Sequence, residues 1–185
     1  ASDVYKRQSA NTSGRPSPTL AEHVAEDLGG KIDMILDGGA VEIGLESTIL
    51  DMTVTPPMIL RPGAITAEMF EEVIGKVDVD ETLLVAESEK APKAPGMKYR
   101  HYAPKAKLMI VEGDLREEIF AIRQLAYKAY KEGRKVGVIA TTETLPFYKY
   151  GVVKNIGTRE NEKTIARNLY RVLREFDEED VEEIY

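Results

Sequence analysis

Residues 105–140 read KAKLMIVEGDLREEIFAIRQLAYKAYKEGRKVGVIA, and the order of periodicities in this stretch decides the fold. Leu108–Val111 is an apolar run of strand length. From Arg116 to Tyr130 the residues Ile119, Ile122, Ala126 and Ala129 recur at the three-to-four spacing of one helix face. Val136–Ala140 is again short, apolar and rich in β-branched residues. Beyond it, Glu162–Phe176 carries Ile165, Leu169, Val172 and Leu173 at helical spacing, and Val181–Tyr185 reads as a strand in which the sequence ends. Strands alternating with helices predict a small parallel sheet covered by helices. An ending inside an element predicts a truncated domain.

Upstream, residues 76–96 lose periodicity and gather acids, lysines and prolines, the composition of a connector. Ahead of that lies a second pattern. Asn11–Thr19 is a Ser/Gly/Pro loop, and Thr19 with Glu22 has the capping-box spacing for a helix with stripe Leu20, Val24 and Leu28, ended by Gly29-Gly30. His23, on an acidic helix, is expected at the surface. Ile32–Leu36 predicts a buried strand, Ser47–Met52 a second and Met58–Leu60 a third short extended stretch; Thr66 caps a helix to about Ile74. The first eight residues, Ala1–Gln8, fit none of this and are expected to be a non-native scar.

The composition excludes several classes. With 43% hydrophobic and 31% charged residues the chain resembles a soluble globular protein, and no run approaches the length of a membrane span. It has no cysteine, so disulfides and thiolate chemistry are absent, and a cytoplasmic location is expected. The net charge of −7 is concentrated in the first part: up to Ala103 there are 10 basic and 17 acidic side chains, thereafter 15 of each. Duplex RNA or DNA binders draw affinity from a basic excess, so this balance disfavours such a role.

Three segments carry residues suited to chemistry. Ser9-Ala10-Asn11-Thr12-Ser13-Gly14, ahead of a helix, can wrap a phosphate or carboxylate, or is an ordinary polar loop. Gly44-Leu45-Glu46-Ser47-Thr48 places two hydroxyls at a strand start. Arg61, between Leu60 and Pro62, is either a held anion fork or a surface ion-pair partner. Lys98-Tyr99-Arg100-His101-Tyr102 packs cations, an imidazole and two rings into a proline-bounded connector, more than a solvated spacer needs. The acidic run Glu175–Glu183 reads as a solvated helix end. No metal-ligand spacing and no Ser-His-Asp arrangement is present, so no metal site and no covalent catalytic residue is assigned.

Together with Leu36-Asp37-Gly38-Gly39 and Leu60-Arg61-Pro62-Gly63-Ala64-Ile65, these motifs resemble the YrdC-type threonylcarbamoyl-adenylate synthases in their long, two-domain form. The resemblance runs from residue 9 to 185. It implies an α/β fold in two parts: the C-terminal part of a twisted YrdC-like sheet over 9–75, a linker over 76–104, and a Rossmann-like accessory domain over 105–185. It implies condensation of L-threonine, bicarbonate and ATP to threonylcarbamoyl-AMP and pyrophosphate, with Mg²⁺ accompanying ATP and a downstream complex modifying tRNA. Ser9, Asn11, Ser47, Thr48 and Arg61 would contact nucleotide, phosphate or threonine, and Tyr99, Arg100, His101 and Tyr102 would close over it. The family's first half, with a Lys-x-Arg phosphate segment, has no counterpart ahead of Ser9, so the 185-residue chain alone is expected to be inactive. An RNA-binding or nucleotide-sensing module of the same fold is the alternative.

Overall fold

A computed structural model describes residues 10, 12–83 and 102–185 of the chain. Two sheets organise it. In the first, β1 (Ile49–Asp51) pairs antiparallel with β2 (Met58–Arg61), and β3 (Asp78–Val79) runs parallel to β2. Between β2 and β3 the chain crosses over through α2 (Ala67–Ile74), where the Thr66 hydroxyl accepts from the Met69 N–H at 3.4 Å. β2 is the buried centre, contributing Ile59 and Leu60 to the core.

The second sheet is wholly parallel, in the order β4 (Lys107–Leu108), β7 (Glu183–Ile184), β5 (Val136–Thr141), β6 (Val152–Gly157). Pleating sends alternate residues to opposite faces. Val136, Val138, Ala140 and Tyr185 meet Ala126 and Ala129 of α3 (Leu115–Lys131). Ile139, Val152 and Ile184 meet Val172, Leu173 and Phe176 of α4 (Glu162–Glu178). A parallel sheet covered on both faces is what the alternation of periods predicts, and it agrees with the Rossmann-like arrangement that the resemblance implies. Asp114 caps α3 by accepting from the N–H groups of Arg116 and Glu117.

Several expectations need correction. Residues 32–36 form no strand: Leu36 is 86% exposed, and no ladder runs alongside among the described residues. Extended backbone becomes a strand only when a neighbour takes its N–H and C=O groups, which period alone cannot report. Thr19 does not cap α1 (Ala21–Leu28); its own N–H donates to His23 Nδ1 at 3.1 Å, and Leu20 stands at the cap with no side-chain bond. His23 is accordingly buried, at 4% exposure, not superficial. The face of α1 that packs inward is His23 and Asp27, while Leu20 and Val24 line an open hollow with Ile32, Met34 and Ile35. β3 lies within the stretch read as connector, and β6 was not predicted. Nor is Glu175–Glu183 a solvated end throughout, since buried Asp177 accepts the Lys105 N–H at 2.7 Å.

Candidate functional site

The turn at Gly44–Thr48 is held from three sides. From β2, Arg61 donates Nε and Nη2 to the Ser47 carbonyl at 3.0 and 2.9 Å. The Thr48 hydroxyl donates to the Ile65 carbonyl at 2.7 Å and accepts the Ile65 N–H at 3.2 Å, which locks the Arg61-Pro62-Gly63 turn onto the Ser47 backbone. A Cβ on Gly63 would sit 2.3 Å from the Glu46 carbonyl oxygen, so only glycine allows this approach. On the third side, Glu46 accepts hydrogen bonds from Ser17 of the opening loop and from the Tyr170 hydroxyl of α4.

Arg61 thus uses two of the five donors a guanidinium carries on the Ser47 carbonyl, which fixes its plane; the other three have no partner among the described residues, an arrangement chemically able to meet an anion. The Ser47 side chain is exposed, and its hydroxyl has no partner among the described residues. Thr48 has one lone pair left. Of the other predicted positions, Ser9, Asn11, Tyr99, Arg100 and His101 lie outside the described residues. Tyr102 is described: it takes φ 56°, and its ring lies 5.8 Å from that of Tyr170, centroid to centroid. The Tyr170 hydroxyl is held well above the ordinary tyrosine range, by burial first and then by its bond to the Glu46 carboxylate.

Behind this turn lies a buried ion cluster. Arg174 of α4, at 1% exposure, donates to both Asp27 carboxylate oxygens at 3.2 and 2.5 Å and to the Pro16 carbonyl at 3.0 Å. Arg15 also pairs with Asp27. Burial pushes the Asp27 carboxyl up, but the bond and charge of Arg174 and the charge of Arg15 outweigh it, and its pKa lies below the ordinary value. His23 is lowered, by burial first and then by Arg174, against the opposing charges of Glu26, Asp27 and Glu22. Sequence reasoning assigned no role to Glu46, Tyr170, Arg174 or Asp27. The only signal for the α4 pair was polar residues on a helix whose other positions are plainly core.

These directions fix the pH response. A His23 pKa lower in the fold than in the open chain gives full stability above about pH 6.5, declining as the pH falls through the folded value. Asp27, also lowered, keeps its contribution above about pH 3.9 and loses it as the pH falls through its own folded value. Thermal unfolding midpoints should therefore decline on acidification from pH 7.5 to 5. His23→Asn, which keeps an acceptor for the Thr19 N–H, should flatten that interval and leave the steeper loss below pH 4. An unchanged slope in His23→Asn would assign the decline to other groups.

The comparisons with known proteins agree with this architecture. Residues 65–185 match the family described as "Threonylcarbamoyl-AMP synthase, C-terminal domain", and residues 7–63 that described as "Telomere recombination". The chain is 47% identical over 174 residues to the threonylcarbamoyl-AMP synthase of Bacillus subtilis, covering 94% of this chain and 49% of that protein. It is 46% identical over 176 residues to the Pyrococcus abyssi protein of the same name, covering 95% and 50%. It matches the crystal structure of P. abyssi Sua5 complexed with L-threonine at a TM-score of 0.84 and 44% identity, over 96% of this chain and 50% of that one. The chain spans about half the length of the curated relatives it matches. Among the described residues no helix is long and apolar enough to cross a membrane. With most of its length matched by one family's C-terminal domain and nearly all of it aligned to relatives of one name, the chain belongs to the threonylcarbamoyl-AMP synthase family.

Proposed function

We propose that this chain is part of an L-threonylcarbamoyladenylate synthase. Threonine's amine takes up bicarbonate, losing water, to give a carbamate; a carbamate oxygen attacks the α-phosphorus of ATP, and pyrophosphate leaves. This chemistry asks for positioning and neutralised charge rather than a covalent nucleophile. The observation that carries the reading is Arg61, clamped on the Ser47 carbonyl with donors to spare beside the free Ser47 hydroxyl. The similar P. abyssi Sua5 was crystallised as a complex with L-threonine, which supports a threonine site in this family's fold.

Ser9, Asn11, Ser47, Thr48 and Arg61 are the ligand contacts in this reading, and Tyr99–Tyr102 close over the bound nucleotide. Residues 9–75 form the catalytic part, 76–104 the linker and 105–185 the accessory domain. Mg²⁺ would arrive with ATP, held mostly by phosphates and water rather than by a protein cage. The product passes to a tRNA-modifying complex in the cytoplasm.

The test is a graft in which this sequence replaces the corresponding stretch of the B. subtilis relative. Pyrophosphate release should require threonine and bicarbonate together, and the 185-residue chain alone should show little or none. Arg61→Ala should lower the rate about 10²-fold or more, the scale on which removing a placed charge-stabilising donor acts. A folded graft that releases pyrophosphate without threonine, or an Arg61→Ala graft of full activity, would overturn the reading.

A further inference from the structure

Three polar residues of α4 stand about one helical turn apart and reach segments ahead of the second sheet: Tyr170, Arg174 and Asp177. Each takes a different segment. Tyr170 holds Glu46 of the Gly44–Thr48 turn, Arg174 holds Pro16 and Asp27 beside the opening loop, and Asp177 holds the Lys105 N–H where the connector rejoins the fold. The turn lies flat on the same helix. A Cβ on Gly44 would meet the Arg167 and Ala166 carbonyl oxygens at 2.3 and 2.8 Å. Glu46 is therefore fixed by backbone contact two residues before it, by Tyr170 on one carboxylate oxygen and by Ser17 on the other.

We propose that Tyr170 is a positioning residue for the synthase reaction: by bonding Glu46 and carrying the ring of Tyr102, it sets where the Ser47 hydroxyl and the Arg61 guanidinium stand. This rests on the functional reading above for what those two groups do. Glu46 immediately precedes Ser47, whose carbonyl orients Arg61, so a turn released at Glu46 carries both groups with it. Tyr102 packs against the same tyrosine, ring centroids 5.8 Å apart, so the end of the connector and the turn share one support. The second sheet's helix then acts on the reaction without touching a substrate.

Tyr170→Phe is the variant to make, because it keeps the ring, its burial and its contact with Tyr102 while deleting the bond to Glu46. In the 185-residue chain, amide hydrogen exchange at 44–48 and 63–65 should quicken while α4 keeps its protection. In the graft, assayed well below its unfolding midpoint, kcat per folded molecule should fall roughly 10- to 100-fold, the scale of a misplacement of about 1 Å. Glu46→Gln keeps an acceptor for the hydroxyl and should retain most activity, and combining it with Tyr170→Phe should cost no more than Tyr170→Phe alone. A Tyr170→Phe chain with unchanged exchange at 44–48, or a graft with unchanged kcat, overturns the proposal. Faster exchange at 44–48 in the chain, together with a parent graft that makes no adenylate, would uphold the positioning and overturn the functional reading instead.

Discussion

Arg174→Ala should cost roughly 3–5 kcal/mol of stability, the loss expected when one partner of a buried ion pair is removed. The Asp27 side chain is wholly buried and Arg174 is 1% exposed, so neither charge has water to fall back on. Removing the guanidinium strands the carboxylate with Arg15 alone, whose side chain is 36% exposed and partly screened, and leaves the Pro16 carbonyl without its donor. The urea midpoint should drop by 1 M or more if m lies in the usual range of about 1–3 kcal/mol/M. Asp27→Ala should cost somewhat less, because buried Arg174 would keep the Glu26 carboxylate at 3.4 Å. Arg174→Met combined with Asp27→Leu should recover much of either loss, since apolar replacement of a whole buried pair is often neutral. A double variant as unstable as the single ones would show that the Pro16 bond, not the charge pair, is what matters here.

That pair also marks where sequence reading stops. α3, α4 and β5 were legible because their periods are long and apolar: Ala126, Ala129, Val172, Leu173 and the run Val136–Ala140 are all core or core-facing. α1 misled because its apolar residues Leu20 and Val24 look outward, while His23 and Asp27 look in, and a buried polar face carries no hydrophobic signal. The partner of Asp27 on α4, Arg174, lies 147 positions away, a separation that no local pattern encodes. The strand predicted at Ile32–Leu36 failed for a related reason: Met34 and Leu36 have the composition, but strand formation is settled by a neighbouring backbone. At the candidate site, Ser47 and Arg61 were singled out by residue type, and the fold joins them by the Arg61 bonds to the Ser47 carbonyl. Thr48 carried the same signal, and its hydroxyl also bonds the Ile65 backbone, a tie seventeen positions along the chain that residue type alone does not report.

The short strand at the end of the sequence should prove as important to the fold as the buried pair. β7 is two residues long but occupies an interior place, between β4 and β5. On one side the Lys107 and Met109 N–H groups donate to the Glu182 and Ile184 carbonyls at 3.0 and 2.8 Å. On the other, the Ile139 N–H donates to Tyr185 and the Tyr185 N–H to Gly137, at 2.8 and 3.1 Å. Its side chains complete both cores: Ile184, fully buried, packs with Phe176 and Leu173, and Tyr185 with Ala126 and Val138. Deleting residues 181–185 would open β4 and β5 to water along facing edges and remove three buried apolar side chains at once. At about 1.5–3 kcal/mol for each buried side chain, that loss rivals the whole stability of a domain this size. The truncated chain should therefore show no cooperative transition for the second sheet, with near-ultraviolet dichroism lost and far-ultraviolet helix signal reduced. Ile184→Val, which removes one methylene, should lower stability by only about 0.5–1.5 kcal/mol and keep the transition intact. If the truncated chain melts cooperatively near the parent's midpoint, then β4 must pair directly with β5, and the interior place of β7 would not be what holds this sheet together.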